Sequence, residues 1–154
     1  MVLESSTSVR SVLVCEDDPA MMRIFQFLLR QQGINSVFIT SNGEQVAPLA
    51  QKHHPALILL DLMLPGKDGL MVLKELKGNE GSRAIPVIVV SGKESHAQVQ
   101  EAMMAGAIDY VIKPFEPMEL GARIKSFLDN LNTSTSDTAA QIPPSSTELG
   151  GLRS

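Results

Sequence analysis

Short apolar runs separated by longer amphipathic stretches recur along the chain. Five runs rich in β-branched residues and leucine predict strands, namely VRSVLVC, NSVFIT, PALILLD, IPVIVVS and DYVIK. Such runs are typical of strands buried on both faces of a parallel sheet. Because a helical stretch follows each strand, we predict an α/β fold with a doubly wound, five-stranded parallel sheet, five helices and right-handed crossovers.

The stretches between the strands carry apolar residues three or four positions apart, as helices do. Pro19 is expected to open the first helix and Gly33 to stop it. Ser41 and Glu44 have the spacing of a capping box for the second helix, and Pro48 should kink or shorten that helix. Further helices are expected over residues 70–76 and 95–105 and from Pro117 onward.

The composition changes near Asn130. Residues 130–154 are rich in Ser, Thr and Pro and poor in large apolar side chains, and residues 1–8 are similar. Segments of this kind cannot bury enough surface to offset the entropy lost on ordering, so both tails are predicted to be disordered. Residues 9–129 then form one domain of ordinary size.

Overall composition limits the classes of protein to which the chain can belong. The formal net charge is −4, and its basic residues are scattered, which argues against a nucleic-acid-binding module. The single cysteine, Cys15, excludes an internal disulfide and suits a reducing compartment. Neither a signal-peptide pattern nor an apolar run of about 18 residues is present. We therefore expect a cytoplasmic protein that binds neither nucleic acid nor membrane directly.

Polar residues of different chemistry stand where four predicted strands end. Glu16 and Asp17 follow the first strand, Asp61 the third and Lys113 the fifth, and Ser91 ends the fourth. Ligands bind outside the carboxyl ends of strands in open α/β sheets, so these side chains are expected to converge. Three carboxylates and one ammonium leave an excess of negative charge, which a hard divalent cation such as Mg²⁺ would neutralise.

Asp61 is the expected nucleophile of this site because it ends the most continuously apolar strand and begins an exposed loop. A carboxylate can attack phosphorus to form an aspartyl phosphate, a reaction that mainly requires positioning and charge neutralisation. Ser91 and Lys113 would contact phosphoryl oxygens. The sequence therefore predicts a Mg²⁺-assisted phosphoacceptor.

Three other classes of protein are excluded by single features. A phosphatase of the haloacid dehalogenase type needs a second Asp two positions after the nucleophile, where this chain has Met63. A flavodoxin would have a Ser/Thr-rich phosphate loop after the first strand, and a dinucleotide-binding fold would have a Gly-rich turn there. This chain has Glu16-Asp17-Asp18 at that point, which would repel phosphate.

Four segments in order, VLVCEDDPAMMR, DLMLPGKDG, VVSG and DYVIKP, resemble the receiver domain of bacterial two-component response regulators. The resemblance extends from about Val9 to Asp129 and implies a flavodoxin-like, CheY-like fold. It implies that Asp61 accepts phosphate from a sensor histidine kinase or a histidine phosphotransfer protein. It also implies that Asp17, Asp61 and the backbone carbonyl of Met63 hold Mg²⁺. Glu16, which stands where the family more often has Asp, would act directly or through water.

The same resemblance implies a switch. Ser91 would move toward the phosphoryl group and the ring of Tyr110 would swing inward, reshaping the surface of the fourth helix, fifth strand and fifth helix for a downstream protein. The Lys113–Pro114 bond is expected to be cis, as is usual in the family. The chain would not be an enzyme beyond Mg²⁺-dependent self-phosphorylation and slow autodephosphorylation.

Two alternatives to a stand-alone, phosphorylated regulator remain open. The chain could be a receiver-like interaction module that phosphorylation does not regulate, although the presence of Asp61, Ser91, Tyr110 and Lys113 argues against this. It could also be the receiver part of a longer regulator whose output domain is missing.

Overall fold

The computed structural model describes residues 10–93 and 95–140, in which strands and helices alternate. The strands are β1 (Ser11–Cys15), β2 (Ser36–Thr40), β3 (Leu57–Leu60), β4 (Val87–Ser91) and β5 (Asp109–Ile112). The helices are α1 (Pro19–Gln31), α2 (Val46–His53), α3 (Gly69–Gly78), α4 (His96–Met104) and α5 (Pro117–Ala140), and a 3₁₀ turn (Gly43–Gln45) precedes α2.

All five strands are parallel and lie in the order β2-β1-β3-β4-β5. The predicted fold class is therefore confirmed. Every residue of β1, β3 and β4 is buried. Their burial explains why these segments are unbroken apolar runs instead of alternating with polar residues.

Local signals place the starts of α1 and α4 as expected. The Asp18 carboxylate accepts a hydrogen bond from the backbone N–H of Ala20, and Pro19 occupies the first helical position. Ser95 caps α4 in the same way by accepting from the N–H of Gln98. These bonds satisfy donors that have no partner inside the helix.

The start of α2 differs from the prediction. Asn42, and not Ser41, provides the cap by accepting from the N–H of Glu44 at 2.9 Å. This bond opens the 3₁₀ turn, and α2 proper begins only at Val46. Pro48 consequently lies in the first turn of α2, where its missing N–H removes no hydrogen bond from the helix.

Helix α5 extends past Asp129, where the sequence predicts the end of the domain. It continues to Ala140, and the disorder of the C-terminal tail stays a prediction. Once a helix is formed, each added residue gains one hydrogen bond, which offsets the weak helix preference of Ser and Thr. The tails at 1–8 and 141–154 lie outside the described residues.

The contacts divide the chain into two compact units at Gly121 and Ala122. All five strands and the polar residues that follow them belong to the first unit. None of the described helices is long and apolar enough to span a lipid bilayer.

Candidate functional site

The acidic residues meet at the carboxyl edge of the sheet because β1 and β3 are neighbours. Cys15 at the end of β1 pairs with Leu60 at the end of β3, so the residues that follow them adjoin. Glu16, Asp17 and Asp61 each place a carboxylate oxygen within 4.8 Å of the others. Glu16 and Asp61 are buried and Asp17 is exposed. These three residues, here called the acidic cluster, could bind a metal ion through their carboxylate oxygens.

Lys113 lies between two of these carboxylates. Its Nζ is 2.9 Å from Oε1 of Glu16 and 2.8 Å from Oδ2 of Asp61. The side chain enters the site directly from the end of β5, and the Lys113–Pro114 bond is cis, as expected. The ammonium is therefore shared between two carboxylates and cannot fully neutralise either.

The pKa values of Glu16 and Lys113 are both shifted because one ammonium lies beside two buried carboxylates. Burial raises the pKa of Glu16, the negative charge of Asp61 adds to the increase, and the hydrogen bond from Lys113 only partly opposes it. Burial lowers the pKa of Lys113, but its hydrogen bonds to Asp61 and Glu16 outweigh that effect, and the net pKa is raised. Lys113 therefore stays charged while Glu16 lacks full compensation, which is the situation that a bound cation relieves.

Each oxygen of the Asp61 carboxylate has a donor. The backbone N–H of Met63 donates to Oδ1 at 2.9 Å, and Lys113 donates to Oδ2. The orientation of the carboxylate is therefore set by one loop and one charged side chain. Both oxygens of Glu16 are also engaged, because Oε2 accepts from the N–H of Asp18 at 3.1 Å.

Ser91 and Tyr110 lie together beside the cluster. Ser91 is fully buried at the end of β4, and its Oγ accepts from the N–H of Lys93. The ring of Tyr110 is buried, and its hydroxyl donates to the backbone carbonyl of Lys93. Burial raises the pKa of Tyr110, with a hydrogen bond to Ser91 opposing the increase. The two residues predicted to form a switch therefore both make hydrogen bonds to the backbone of Lys93, in the segment that follows β4.

One contribution to the site was not predicted. The N–H of Gly43, in the turn after β2, donates to the carbonyl of Pro65 in the loop that follows Asp61. The Asn42-Gly43 dipeptide is a turn signal in the sequence. No local pattern, however, shows which distant loop that turn will contact.

A family model described as the response regulator receiver domain matches residues 12–125. The DNA-binding response regulator MtrA of Mycolicibacterium smegmatis is 35% identical over 122 residues, which cover 79% of this chain and 52% of that protein. The chain thus spans about half the length of the curated relatives that it matches.

Solved structures agree with this assignment. A CheY-like response regulator receiver domain protein from Methanospirillum hungatei superposes with a TM-score of 0.74 at 25% identity, covering 82% of this chain and 99% of that one. The receiver domain of sensor histidine kinase PA1611 from Pseudomonas aeruginosa, solved with a magnesium ion in its active-site cleft, gives 0.70 at 26% identity, covering 79% and 99%. The shared fold and the family match over most of the sequence lead to one conclusion: the chain belongs to the receiver domain family of two-component response regulators.

Proposed function

We propose that this receiver accepts a phosphoryl group on Asp61 from a phosphohistidine of a sensor histidine kinase or a histidine phosphotransfer protein. The observation that carries the proposal is the setting of the Asp61 carboxylate. It is buried at a strand end and oriented by the N–H of Met63 and the ammonium of Lys113. A carboxylate that served only as a surface turn residue would not need two such donors.

In the proposed transfer, a carboxylate oxygen of Asp61 forms a bond to phosphorus as the bond between phosphorus and the histidine nitrogen breaks. The electron pair of that bond returns to the imidazole of the donor. Lys113 would then pair with a phosphoryl oxygen in place of its present partner Asp61 Oδ2. Ser91 would donate its hydroxyl to another phosphoryl oxygen.

The acidic cluster fits a bound Mg²⁺ because it offers three carboxylates to a single ammonium. We propose that Asp17, Asp61 and the backbone carbonyl of Met63 hold the ion, with Glu16 acting directly or through water. The ion would neutralise charge as the phosphoryl group approaches. The magnesium ion in the receiver domain of PA1611 supports this choice of cation.

The site is proposed to retain its phosphate and not to turn over substrates. Met63 stands two positions after Asp61, and its thioether can neither donate nor accept the proton that a phosphatase needs. The chain would therefore act as a phosphoprotein with slow autodephosphorylation. A cytoplasmic location remains part of this proposal.

Output is proposed to pass through Ser91 and Tyr110. Once the Ser91 hydroxyl binds the phosphoryl group, its contact with Tyr110 changes, and the Tyr110 bond to the Lys93 carbonyl fixes the segment before α4. Residues of α4 and β5 would then contact a downstream protein.

A second candidate output follows from the curated relatives. MtrA is described as a DNA-binding response regulator, and this chain covers 52% of it. This supports the alternative in which the receiver controls a separate DNA-binding domain. The net charge of −4 gives no reason to expect DNA binding by the receiver itself.

Phosphorylation is tested by incubating the protein with Mg²⁺ and acetyl phosphate and measuring the intact mass. We expect one added phosphoryl group on the wild type and none on Asp61→Asn. Asp68→Asn is the matched control, because Asp68 caps α3 outside the cluster and Asn also serves as a cap. Absence of the added mass on the wild type, or its persistence on Asp61→Asn, would favour the unphosphorylated interaction module.

A further inference from the structure

The turn after β2 contacts the loop after β3, although β2 and β3 are not neighbours in the sheet. In the sheet, β1 separates β2 from β3, yet the N–H of Gly43 donates to the carbonyl of Pro65 at 2.8 Å. The β2–α2 turn, which comprises residues 40–43, therefore crosses the end of β1. It contacts the loop that begins at Asp61, and the acidic cluster lies at the same edge of the sheet.

The β2–α2 turn and the loop after β3 each have a glycine where their backbones come close, Gly43 in the turn and Gly66 in the loop. Gly43 is buried, and a Cβ there would lie 2.8 Å from the carbonyl oxygen of Lys67. Gly66 has a φ of +95°, and a Cβ there would overlap Oδ1 of Asn42. Because neither position has room for a side chain, the approach of the turn to the loop depends on both glycines.

The β2–α2 turn is also attached to the other half of the cluster. The N–H of Glu16 donates to the carbonyl of Thr40 at 3.0 Å, and the N–H of Asn42 donates to Oγ1 of Thr40 at 3.2 Å. The turn thus connects Glu16, after β1, with the loop that follows β3. None of its own residues belongs to the acidic cluster.

The loop that the turn contacts controls the orientation of Asp61. Its start is held by the bond from the N–H of Gly69 to the carbonyl of Leu62 at 3.2 Å, and Pro65 is held by Gly43. Met63 lies between these two fixed points, and its N–H donates to Oδ1 of Asp61. Movement at Pro65 would therefore move the peptide groups on both sides of Met63.

We propose that the β2–α2 turn is a positioning element of the phosphoacceptor site. By fixing Pro65 and Gly66, it would hold the Met63 N–H on Asp61 and the Met63 carbonyl toward the cation. This inference rests on the proposed function for its link to phosphorylation. Its structural part, the effect of the turn on the Met63 peptide, is independent of phosphate transfer. Supporting groups of this kind commonly change metal affinity about 10-fold to 100-fold.

Two variants test the turn. Gly43→Ala forces the turn away from Lys67. Asn42→Ser keeps a side chain that can cap the 3₁₀ turn but removes the amide that packs on Gly66. This variant therefore tests the contact with the loop without loss of the cap. We expect both to speed amide hydrogen exchange at Met63 and to weaken Mg²⁺ binding, measured by calorimetry, by about 10-fold or more for Gly43→Ala. Gly78→Ala is the control, because a Cβ there meets nothing within 4 Å.

The readouts distinguish the possible failures. If Met63 exchange and Mg²⁺ affinity stay at wild-type values in both turn variants, the positioning proposal is wrong, whatever the phosphorylation result. Urea unfolding in EDTA shows whether Gly43→Ala is folded; if it is not, Asn42→Ser decides alone. If the wild type binds Mg²⁺ but never gains phosphate, the proposed function fails. The positioning of Met63 would then still be judged by exchange and affinity.

Discussion

At the scale of single residues, the site holds more negative than positive charge, with three carboxylates beside the ammonium of Lys113. Lys113 serves two carboxylates, Glu16 and Asp61, and both are almost fully removed from water. Burying unpaired charge is costly, so each partner depends on the ammonium. The same excess of negative charge favours a bound cation, which would in turn offset the charge of an incoming phosphoryl group.

Lys113→Met should therefore destabilise the protein strongly when no divalent cation is present. Two buried carboxylates would lose their partner, a change that typically costs about 3 kcal/mol or more in the free energy of unfolding. Urea unfolding in EDTA measures the loss. The control is Lys125→Met, whose ion pair with Asp129 at 2.7 Å is exposed on both sides and should contribute at most about 1 kcal/mol. Equal losses in the two variants would contradict this account.

The raised pKa of Glu16 predicts a pH dependence with a definite sign. Between its ordinary value of 4.5 and its raised pKa, Glu16 binds more protons in the folded state than in the unfolded state. Stability from this group is therefore present below pH 4.5 and is lost as pH rises through the raised pKa. Glu16→Gln cannot ionise, so in EDTA its stability relative to wild type should increase with pH. Parallel stability curves from pH 4.5 upward would refute the prediction.

At the scale of elements, a glycine at the start of α3 sets how closely this helix approaches the loop after β3. Gly69 begins α3, and a Cβ there would overlap the backbone of Leu62, which directly follows Asp61. Gly78 ends the same helix, and a Cβ added there would have no neighbour within 4 Å. In this helix, therefore, Gly69 is required because a side chain would not fit, whereas the space around Gly78 would accept one.

Alanine substitutions at these two glycines should differ strongly in their effect on the free energy of unfolding. Gly69→Ala must displace backbone and is expected to cost about 3 kcal/mol or more, at the upper end of overpacking effects. Gly78→Ala should be neutral or stabilising by up to about 1 kcal/mol, because alanine favours helix. Urea unfolding of the two variants under identical conditions measures both. A loss at Gly78 as large as that at Gly69 would show that contact with Leu62 does not govern the difference between these positions.

Element boundaries show where local signals were sufficient. Asp18 with Pro19, and Ser95, mark helix starts through contacts within three residues, and both starts could be predicted. The start of α2 was misplaced because Ser41 and Asn42 are both good caps. No end was predicted for α5, because composition alone does not reveal how far a helix continues once formed.

At the scale of the whole molecule, the order of the strands brings the site together. The polar residues come from four strand ends spread between Glu16 and Lys113 in the sequence, and the parallel order places all of them at one edge. A ligand that binds this edge therefore stabilises the sheet as a unit, because the site does not exist in the unfolded chain.

Mg²⁺ should accordingly raise the stability of the whole domain. A ligand that binds only the folded state adds about 2.7 kcal/mol at 100 times its Kd. We expect thermal unfolding to move to higher temperature with MgCl₂, and to move much less in Asp61→Asn, which removes one carboxylate of the cluster. KCl at matched ionic strength is the control for general salt effects. An equal shift with KCl would contradict specific binding.

The apolar runs were enough to predict the fold class, and the residues that follow them show which polar groups stand at the strand ends, because both are local properties of the chain. How these groups share their charges follows from the folded chain and could not be predicted from the sequence. Three contacts join segments that are distant in the sequence. They are the ion pairs of Lys113 with Glu16 and Asp61, the hydrogen bond from the Tyr110 hydroxyl to the Lys93 carbonyl, and the hydrogen bond from the Gly43 N–H to the Pro65 carbonyl. Such contacts depend on strand order and on the path of each loop, which no local pattern of residues encodes.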